Sequence, residues 1–271
     1  MNLNFTLFRV LLLLWNNSPH WLQQLFRALG VTRFVNSVWV PYRNLPIPPT
    51  EQPVRELMQK IVQPGWSCAD VGANFGMMTE VMSARTGPTG TVVAFEAHPL
   101  NATILRQRMQ IKGFGKIVTI ENKAVSDGTE KSVWIFPGRR RSPNEWNIVG
   151  HDGQGRKTKA NFEIPAIALD GYFKNSRLDF VKIDVEGAES NVIAGMRHIL
   201  REKAPVIVVE FHNPKAWESR RELFAAGYRI FRLTGEEVLP EMPLVYHVCA
   251  WPNAKMPAPE IFLKNANLSS V

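Results

Sequence analysis

A chain of 271 residues with 45% apolar content buries a sizeable core and has room for one α/β domain plus an extension. Its two cysteines, Cys68 and Cys249, exclude a disulfide framework and a cysteine metal site, and both read as core residues in a reducing compartment. A formal net charge of +8 raises nucleic acid as a partner, but no Cys/His module or aromatic-basic RNA motif accompanies it.

Residues 1–50 carry Arg9, Arg27, Arg33 and Arg43, with no acid before Glu51. Apolar residues cluster from Phe5 to Trp15 and again at Trp21, Leu22, Leu25, Phe26 and Leu29, where Trp21, Leu25 and Leu29 share one side of a helix. Val10 to Trp15 is far shorter than the roughly twenty apolar residues that cross a bilayer. It resembles a signal-peptide core, but no small-residue cleavage site follows. Two readings stand. One is a helical extension resting through arginines and tryptophans of residues 1–30 on the inner, anionic face of a membrane, with the body cytoplasmic. The other is a helical lid or homodimer contact. Pro41 to Pro53, with five prolines, is the linker into a domain over 51–271.

From Glu51 the chain alternates as a doubly wound sheet does. A helix is predicted over Pro53–Val62, with Val54, Leu57, Met58 and Ile61 on one face. A strand over Ser67–Val71 then runs into Gly72 and Gly76 and a helix over Phe75–Arg85. The two glycines let a ligand approach the main chain, and the helix start points unpaired N–H groups into the turn. Alone, such a turn is also an ordinary βα connection. A β-branched strand over Thr91–Glu96 follows, ending in an acid about twenty residues after the turn, where a ribose would find it. The spacing is G-x-x-x-G with Asn74 between, not the G-x-G-x-x-G of dinucleotide sites. A ligand with a ribose and no pyrophosphate fits better, and S-adenosylmethionine is such a ligand.

A helix opens after Pro99, with Ile104, Leu105, Met109 and Ile111 inward until Gly113, and Lys116–Asn122 makes the third strand. The alternation then breaks. Ser132–Phe136 and Phe162–Ile167 read as a hairpin around an insertion at about 137–161, whose Arg139, Arg140, Arg141, Arg156, Lys157 and Lys159 suit a solvated loop or an anionic ligand. Regularity returns with a strand over Leu178–Val185, a helix over Ala188–Arg201, a strand over Pro205–Phe211, a helix over Ala216–Ala226, and strands over Tyr228–Leu233 and Val245–Trp251. Val206-Ile207-Val208-Val209 reads as a strand buried on both faces.

Asp179 to Glu189 is denser in charge than a buried strand should be. Asp184 falls at the strand's C-terminal end, Lys182 alternates with it, and Glu186 and Glu189 flank the turn into the next helix. In open α/β sheets ligands bind outside the carboxyl ends of the strands, so Asp184, Glu96 and the Gly72 turn should face one crevice. Glu186 and Glu189 also suit the helix dipole alone.

The order DVGANFG, VVAFEAHP, KAVSD, FVKIDVEGAE and VIVVEFHN, spread over residues 51–213, resembles the FkbM-type S-adenosylmethionine-dependent methyltransferases, many of which O-methylate sugar or polyketide hydroxyls. The resemblance implies a Rossmann-like class I methyltransferase: a mostly parallel seven-stranded sheet with helices on both faces, here with the N-terminal helical extension added. Ala97 departs from the proline usual there. By the same resemblance Asp70, Gly72, Asn74 and Gly76 cradle the methionine end of the cofactor and Glu96 takes the ribose hydroxyls. His98 flanks the adenine, and Ser126 and Asp127 lie near its amine, although Ser-Asp before Gly128 is also a common turn.

Methyl transfer to a weakly acidic sugar hydroxyl needs a positioned acceptor and a destination for its proton. Asp184 is the first candidate to receive that proton or orient the hydroxyl. His212, beside Glu210, is the second, and a salt-linked strand end is the structural alternative for that pair. Asp184 with Glu186 or Glu210 offers oxygens to a divalent cation, but the sequence displays no clear ligand triad, so no metal is expected. The acceptor is expected to be a glycan or small molecule. A cofactor-binding protein without turnover and a methyltransferase for nucleic acid or a polyketide hydroxyl are the alternatives. Against nucleic acid, the chain lacks the Asn/Asp-Pro-Pro-aromatic motif of amino-group enzymes.

Overall fold

The computed structural model describes residues 47–136, 148–150 and 162–255. The expectations for the N-terminal extension, most of the basic insertion and the final residues lie outside these. A 3₁₀ turn over Pro49–Glu51 leads into α1 (Gln52–Ile61), whose buried face is Val54, Leu57, Met58 and Ile61, the four positions with helical spacing. Next come β1 (Ser67–Val71), α2 (Met77–Thr86), β2 (Thr91–Phe95), α3 (Pro99–Ile111) and β3 (Val118–Glu121). Both strand pairs are parallel, with Asp70 opposite Ala94 and Ala94 opposite Ile120. Ile104, Leu105 and Met109 are buried as predicted. Ile111 is not: it shares the angular position of Ile104, but as the last residue of α3 it is 52% exposed.

Where a third crossover helix would stand, the chain makes β4 (Ala124–Val125), β5 (Ser132–Phe136), β6 (Ile148–Gly150) and β7 (Phe162–Ile167). β5 and β7 form the predicted antiparallel pair, and β6 and β4 extend it to a second sheet in the order β4-β7-β5-β6.

After α4 (Leu169–Tyr172) the main sheet resumes with β8 (Phe180–Ile183). α5 (Glu189–Ala194) and α6 (Arg197–Glu202) precede β9 (Val206–Glu210), and α7 (Pro214–Glu218) and α8 (Arg220–Ala225) follow it. β10 (Tyr228–Arg232), β11 (Glu237–Val238) and β12 (His247–Pro252) end the described fold. The sheet order is β11-β10-β12-β9-β8-β1-β2-β3, so among the described residues the sheet has eight strands and not seven. The addition is β11, two residues hydrogen-bonded to the outer edge of β10. Neighbours from β3 to β9 are parallel, and β12 inserts antiparallel between β9 and β10. Val206 to Val209 are buried, as a central strand covered on both faces requires.

Two predicted helices are each broken. The Gly195 backbone lies against the Ser126 carbonyl, where a Cβ would come within 2.0 Å, and the Asp170 amide donates to the Gly195 carbonyl. Asp170 then caps the second piece, its carboxylate accepting from the His198 and Ile199 amides. Between α7 and α8 the Ser219 hydroxyl donates to the Ala216 carbonyl at 2.6 Å, competing with continued helix. Among the described residues, no helix is long and apolar enough to cross a membrane.

Successive strands run outward from β1 to β3, after which the chain returns to place β8 on the other side of β1. The direction of winding therefore reverses between β1 and β8, and their carboxyl ends open a crevice there.

Candidate active site

Gly72 follows β1 and Asp184 follows β8, and the two turns touch. Gly72 has φ +80°, and a Cβ on it would lie 1.8 Å from the Asp184 carbonyl oxygen, so any side chain would push β1 and β8 apart. The Gly72 and Ala73 amides both donate to the Phe95 carbonyl at 3.0 Å, tying this turn to the end of β2. A cleft of about 600 Å³, partly open to solvent, lies over these strand ends; Gly72, Asn74, Glu96, Lys123, Asp184 and Glu186 are among its walls.

Glu96 is 2% exposed, and its two oxygens accept from the Asn74 and His98 amides, each at 2.7 Å. Burial pushes its carboxyl up to about 7, against the pull of those two donors. Asn74, at φ +49°, also accepts from the Asn101 side-chain amide at 3.2 Å. The Asn122 side chain donates to the carbonyls of Glu96 and Ala97 at 2.8 and 2.9 Å, fixing the backbone where the acid turns into the cleft. A buried carboxylate clamped at a cleft wall fits the paired hydroxyls of a ribose.

The other predicted cofactor residues play different parts. Asp70 is fully buried; it accepts from the Thr79 hydroxyl at 2.5 Å and lies 4.0 Å from the Lys182 ammonium, locking β1 to α2 and β8 beneath the cleft. Gly76, at φ +82°, starts α2 and packs on Leu105. His98, 4% exposed, contributes its backbone amide. Ser126 and Asp127 form a turn: the Ser126 hydroxyl accepts from the Gly128 amide, and Asp127 accepts from both the amide and the hydroxyl of Thr129. From the same KAVSD segment it is Lys123, Ala124 and Val125 that line the cleft.

Across the cleft the acids converge. Lys182 is 8% exposed and donates to Asp184 Oδ2 at 3.0 Å. Burial opposes ionisation of Asp184, but the Lys182 charge and hydrogen bond, with His212 and His247, hold it below the usual carboxylate range. Glu186 stands at φ +53°, a left-handed conformation unusual for a residue with a side chain. The expected Glu210–His212 link is present at 3.6 Å, but each residue has a nearer partner. His212 Nδ1 lies 2.7 Å from Glu189 Oε1, and the Glu189 oxygen also accepts from the Gly187 amide. Glu210 Oε2 faces His247 Nε2 at 3.0 Å. Burial lowers the proton affinity of His212, but the Glu189 bond and the charges of Asp184, Glu189 and Glu186 outweigh it and push the ring up to about 9. Glu189 had a signal in the sequence, read as a dipole residue; His247 had none, because it reaches the site only through antiparallel pairing of β12 with β9.

The methyltransferase FkbM domain model matches residues 70–230, more than half of the chain and the part that holds Gly72, Glu96, Asp184 and His212. No curated protein sequence matches the chain. Among solved structures, the chain is similar to the FkbM methyltransferase of Methylobacillus flagellatus, at 14% identity and a TM-score of 0.45, over 73% of this chain and 50% of that one. The alignment thus spans half the length of that relative. It is also similar to an S-adenosylmethionine-dependent O-methyltransferase of Thermotoga maritima, at 14% identity and a TM-score of 0.46, over 79% of this chain and 69% of that one. An O-methyltransferase of Bacillus cereus in complex with S-adenosylhomocysteine aligns at 17% identity and a TM-score of 0.43, over 76% and 82% of the two chains. On the strength of the domain match, the chain belongs to the FkbM methyltransferase family, and its cofactor is S-adenosylmethionine.

Proposed function

We propose that this protein transfers the methyl group of S-adenosylmethionine to a hydroxyl of a sugar, in a polysaccharide, a glycolipid or a glycosylated natural product. The observation that carries the reading is that Asp184 and Glu186 share the cleft walls with Glu96 and the Gly72 turn, with His212 within 3.7 Å of both acids and of Glu210. The cofactor supplies an electrophilic methyl on a sulfonium. In this reading Glu96 accepts from the ribose hydroxyls, held by the Asn74 and His98 amides, while the Gly72–Asn74 turn takes the methionine end. Asp184, fixed by Lys182, orients the acceptor hydroxyl through its other oxygen. His212 and Glu210 complete the acceptor side.

A carboxylate-lined rim suits a neutral polyol, whose hydroxyls donate to it, and repels a polyanion. That disfavours RNA and DNA as acceptors in spite of the chain's net charge of +8. Incubation with methyl-labelled cofactor and separate pools of polysaccharide, glycolipid and RNA tests the reading. Label is expected in a glycan pool; label in RNA alone overturns it.

A further inference from the structure

Asp184 at the cleft wall and its neighbours Glu210 and His212 share one arrangement. Asp184 gives Oδ2 to Lys182 at 3.0 Å and turns Oδ1 toward His212 Nε2 at 3.7 Å. Glu210 gives Oε2 to His247 at 3.0 Å and turns Oε1 toward the same nitrogen at 3.6 Å. His212 gives Nδ1 to the fully buried Glu189 at 2.7 Å. Because the Glu189 carboxylate is an acceptor, Nδ1 carries the hydrogen and Nε2 keeps its lone pair in the neutral ring. Each group is thus anchored through one atom and presents a second to a common point. Buried partners that fix the far atom of a ligating His or carboxylate are the usual support of a metal site.

The spacing agrees. The Asp184, Glu210 and His212 atoms all lie within 4.8 Å of one another. Ligands about 2.1 Å from a cation stand roughly 3.4 Å apart in tetrahedral and 3.0 Å in cis-octahedral geometry. The observed 3.6 and 3.7 Å are a few tenths of an ångström longer than the tetrahedral value, and Glu186 Oε2 stands 3.5 Å from the same nitrogen as a further oxygen at the site. The sequence hides this triad because Asp184 ends one strand while Glu210 and His212 sit at the end of the next; only the β8–β9 pairing joins them.

We infer that Asp184, Glu210 and His212 hold one divalent cation of the Mn²⁺ type, whose remaining positions take water and the acceptor hydroxyl. One imidazole with two carboxylates suits a first-row ion better than Ca²⁺, which prefers six to eight oxygens. The inference rests on the proposed acceptor site and deepens it. A carboxylate paired with Lys182 is a weak base, whereas a cation acidifies a bound hydroxyl directly. The acceptor proton leaves to solvent, the oxygen forms its bond to the methyl carbon, and the carbon–sulfur bond breaks with its electron pair passing to sulfur. The products are the methyl ether and S-adenosylhomocysteine.

The test is titration of the chelator-stripped full chain with Mn²⁺, free ion being followed by electron paramagnetic resonance, with S-adenosylmethionine binding measured on the same samples. One equivalent of Mn²⁺ is expected to bind, at least about tenfold more tightly than Ca²⁺. Glu210→Gln and His212→Ala each weaken Mn²⁺ by about tenfold or more, and Glu189→Gln by about 10-fold to 100-fold, while cofactor affinity holds. Absence of a stoichiometric site in the wild type, with cofactor present, overturns the inference, as does Mn²⁺ binding that all three variants retain. Because cofactor affinity is read separately, failure of the cation site is distinguishable from failure of the methyltransferase reading, which would appear as loss of cofactor binding in the wild type.

Discussion

Glu96 carries its charge against its surroundings: burial lifts its carboxyl to about 7, although two backbone amides donate to it. Ribose hydroxyls add donors to the ionised form alone, so the cofactor selects that form. Below pH 7 the ionised fraction falls about tenfold per pH unit. Cofactor affinity is therefore expected to be flat above pH 8 and about tenfold weaker at pH 6, with proton release visible in calorimetry run in buffers of different ionisation enthalpy. An affinity constant between pH 6 and 8 would remove Glu96 from the ribose. Linkage gives stability the opposite sense. The folded-state pKa lies above the ordinary glutamate value of 4.5, so the folded chain holds a proton that the unfolded chain has lost between pH 4.5 and about 7. The contribution of this group is complete below that window and declines through it. Asp184→Asn is expected to lower turnover by at least about a hundredfold and leave cofactor affinity within about twofold, since the carboxylate faces the acceptor side. Turnover at the wild-type rate would remove Asp184 from the chemistry. At this scale Glu96 and Asp184 were legible because each ends a strand a fixed distance after a glycine turn or a Val/Ile run. The pairing of Glu189 with His212, and of Glu210 with His247, was not, because both pairs join side chains from separate elements.

Among the elements, strands were legible to within a residue or two, since short β-branched runs declare themselves locally. Helix interruptions were not. Residues 188–201 keep helical spacing, yet α5 ends at Ala194 and α6 begins at Arg197, because Gly195 backs onto Ser126 and Asp170 supplies a cap from 27 residues upstream of Arg197. That cap can be removed by one substitution. Asp170→Ala leaves the His198 and Ile199 amides without their acceptor, and a lost cap costs about 0.5–2 kcal/mol. The denaturation midpoint should fall accordingly with the slope unchanged, and cofactor affinity should hold because Asp170 lies outside the cleft walls. A midpoint at the wild-type value would mean that water replaces the cap and that the break is set by Gly195 alone.

For the whole molecule the decisive feature is the reversal of winding between β1 and β8, which brings residues 72, 96 and 184 to one crevice. The alternation of elements made this legible, and β-branched runs made the β5–β7 pair legible; β4, β6 and β11 were not, because strands of two or three residues have no period to read. The same scale decides where the folding unit begins. α1 buries Val54, Leu57, Met58 and Ile61 and packs on α2. At about 1.5–3 kcal/mol per buried side chain, those four positions contribute about 6–12 kcal/mol, comparable with the whole stability of a domain. Glu51, just before α1, shares a small cavity with Lys182, Asp184, Glu210 and His247, and burial with the nearby carboxylates raises its carboxyl in spite of Lys182. The compact unit that contains the cleft starts at Pro48. A chain of residues 48–271 is therefore expected to unfold cooperatively and to bind cofactor within about twofold of the full chain, whereas 63–271 should lose both properties. The proposed role of residues 1–30 is tested by the same pair of chains. If their arginines and tryptophans rest on an anionic bilayer, 48–271 loses sedimentation with anionic vesicles and keeps its cofactor affinity. Equal sedimentation of the two chains would assign residues 1–30 to a lid or a subunit contact, and their oligomeric states would then separate those two.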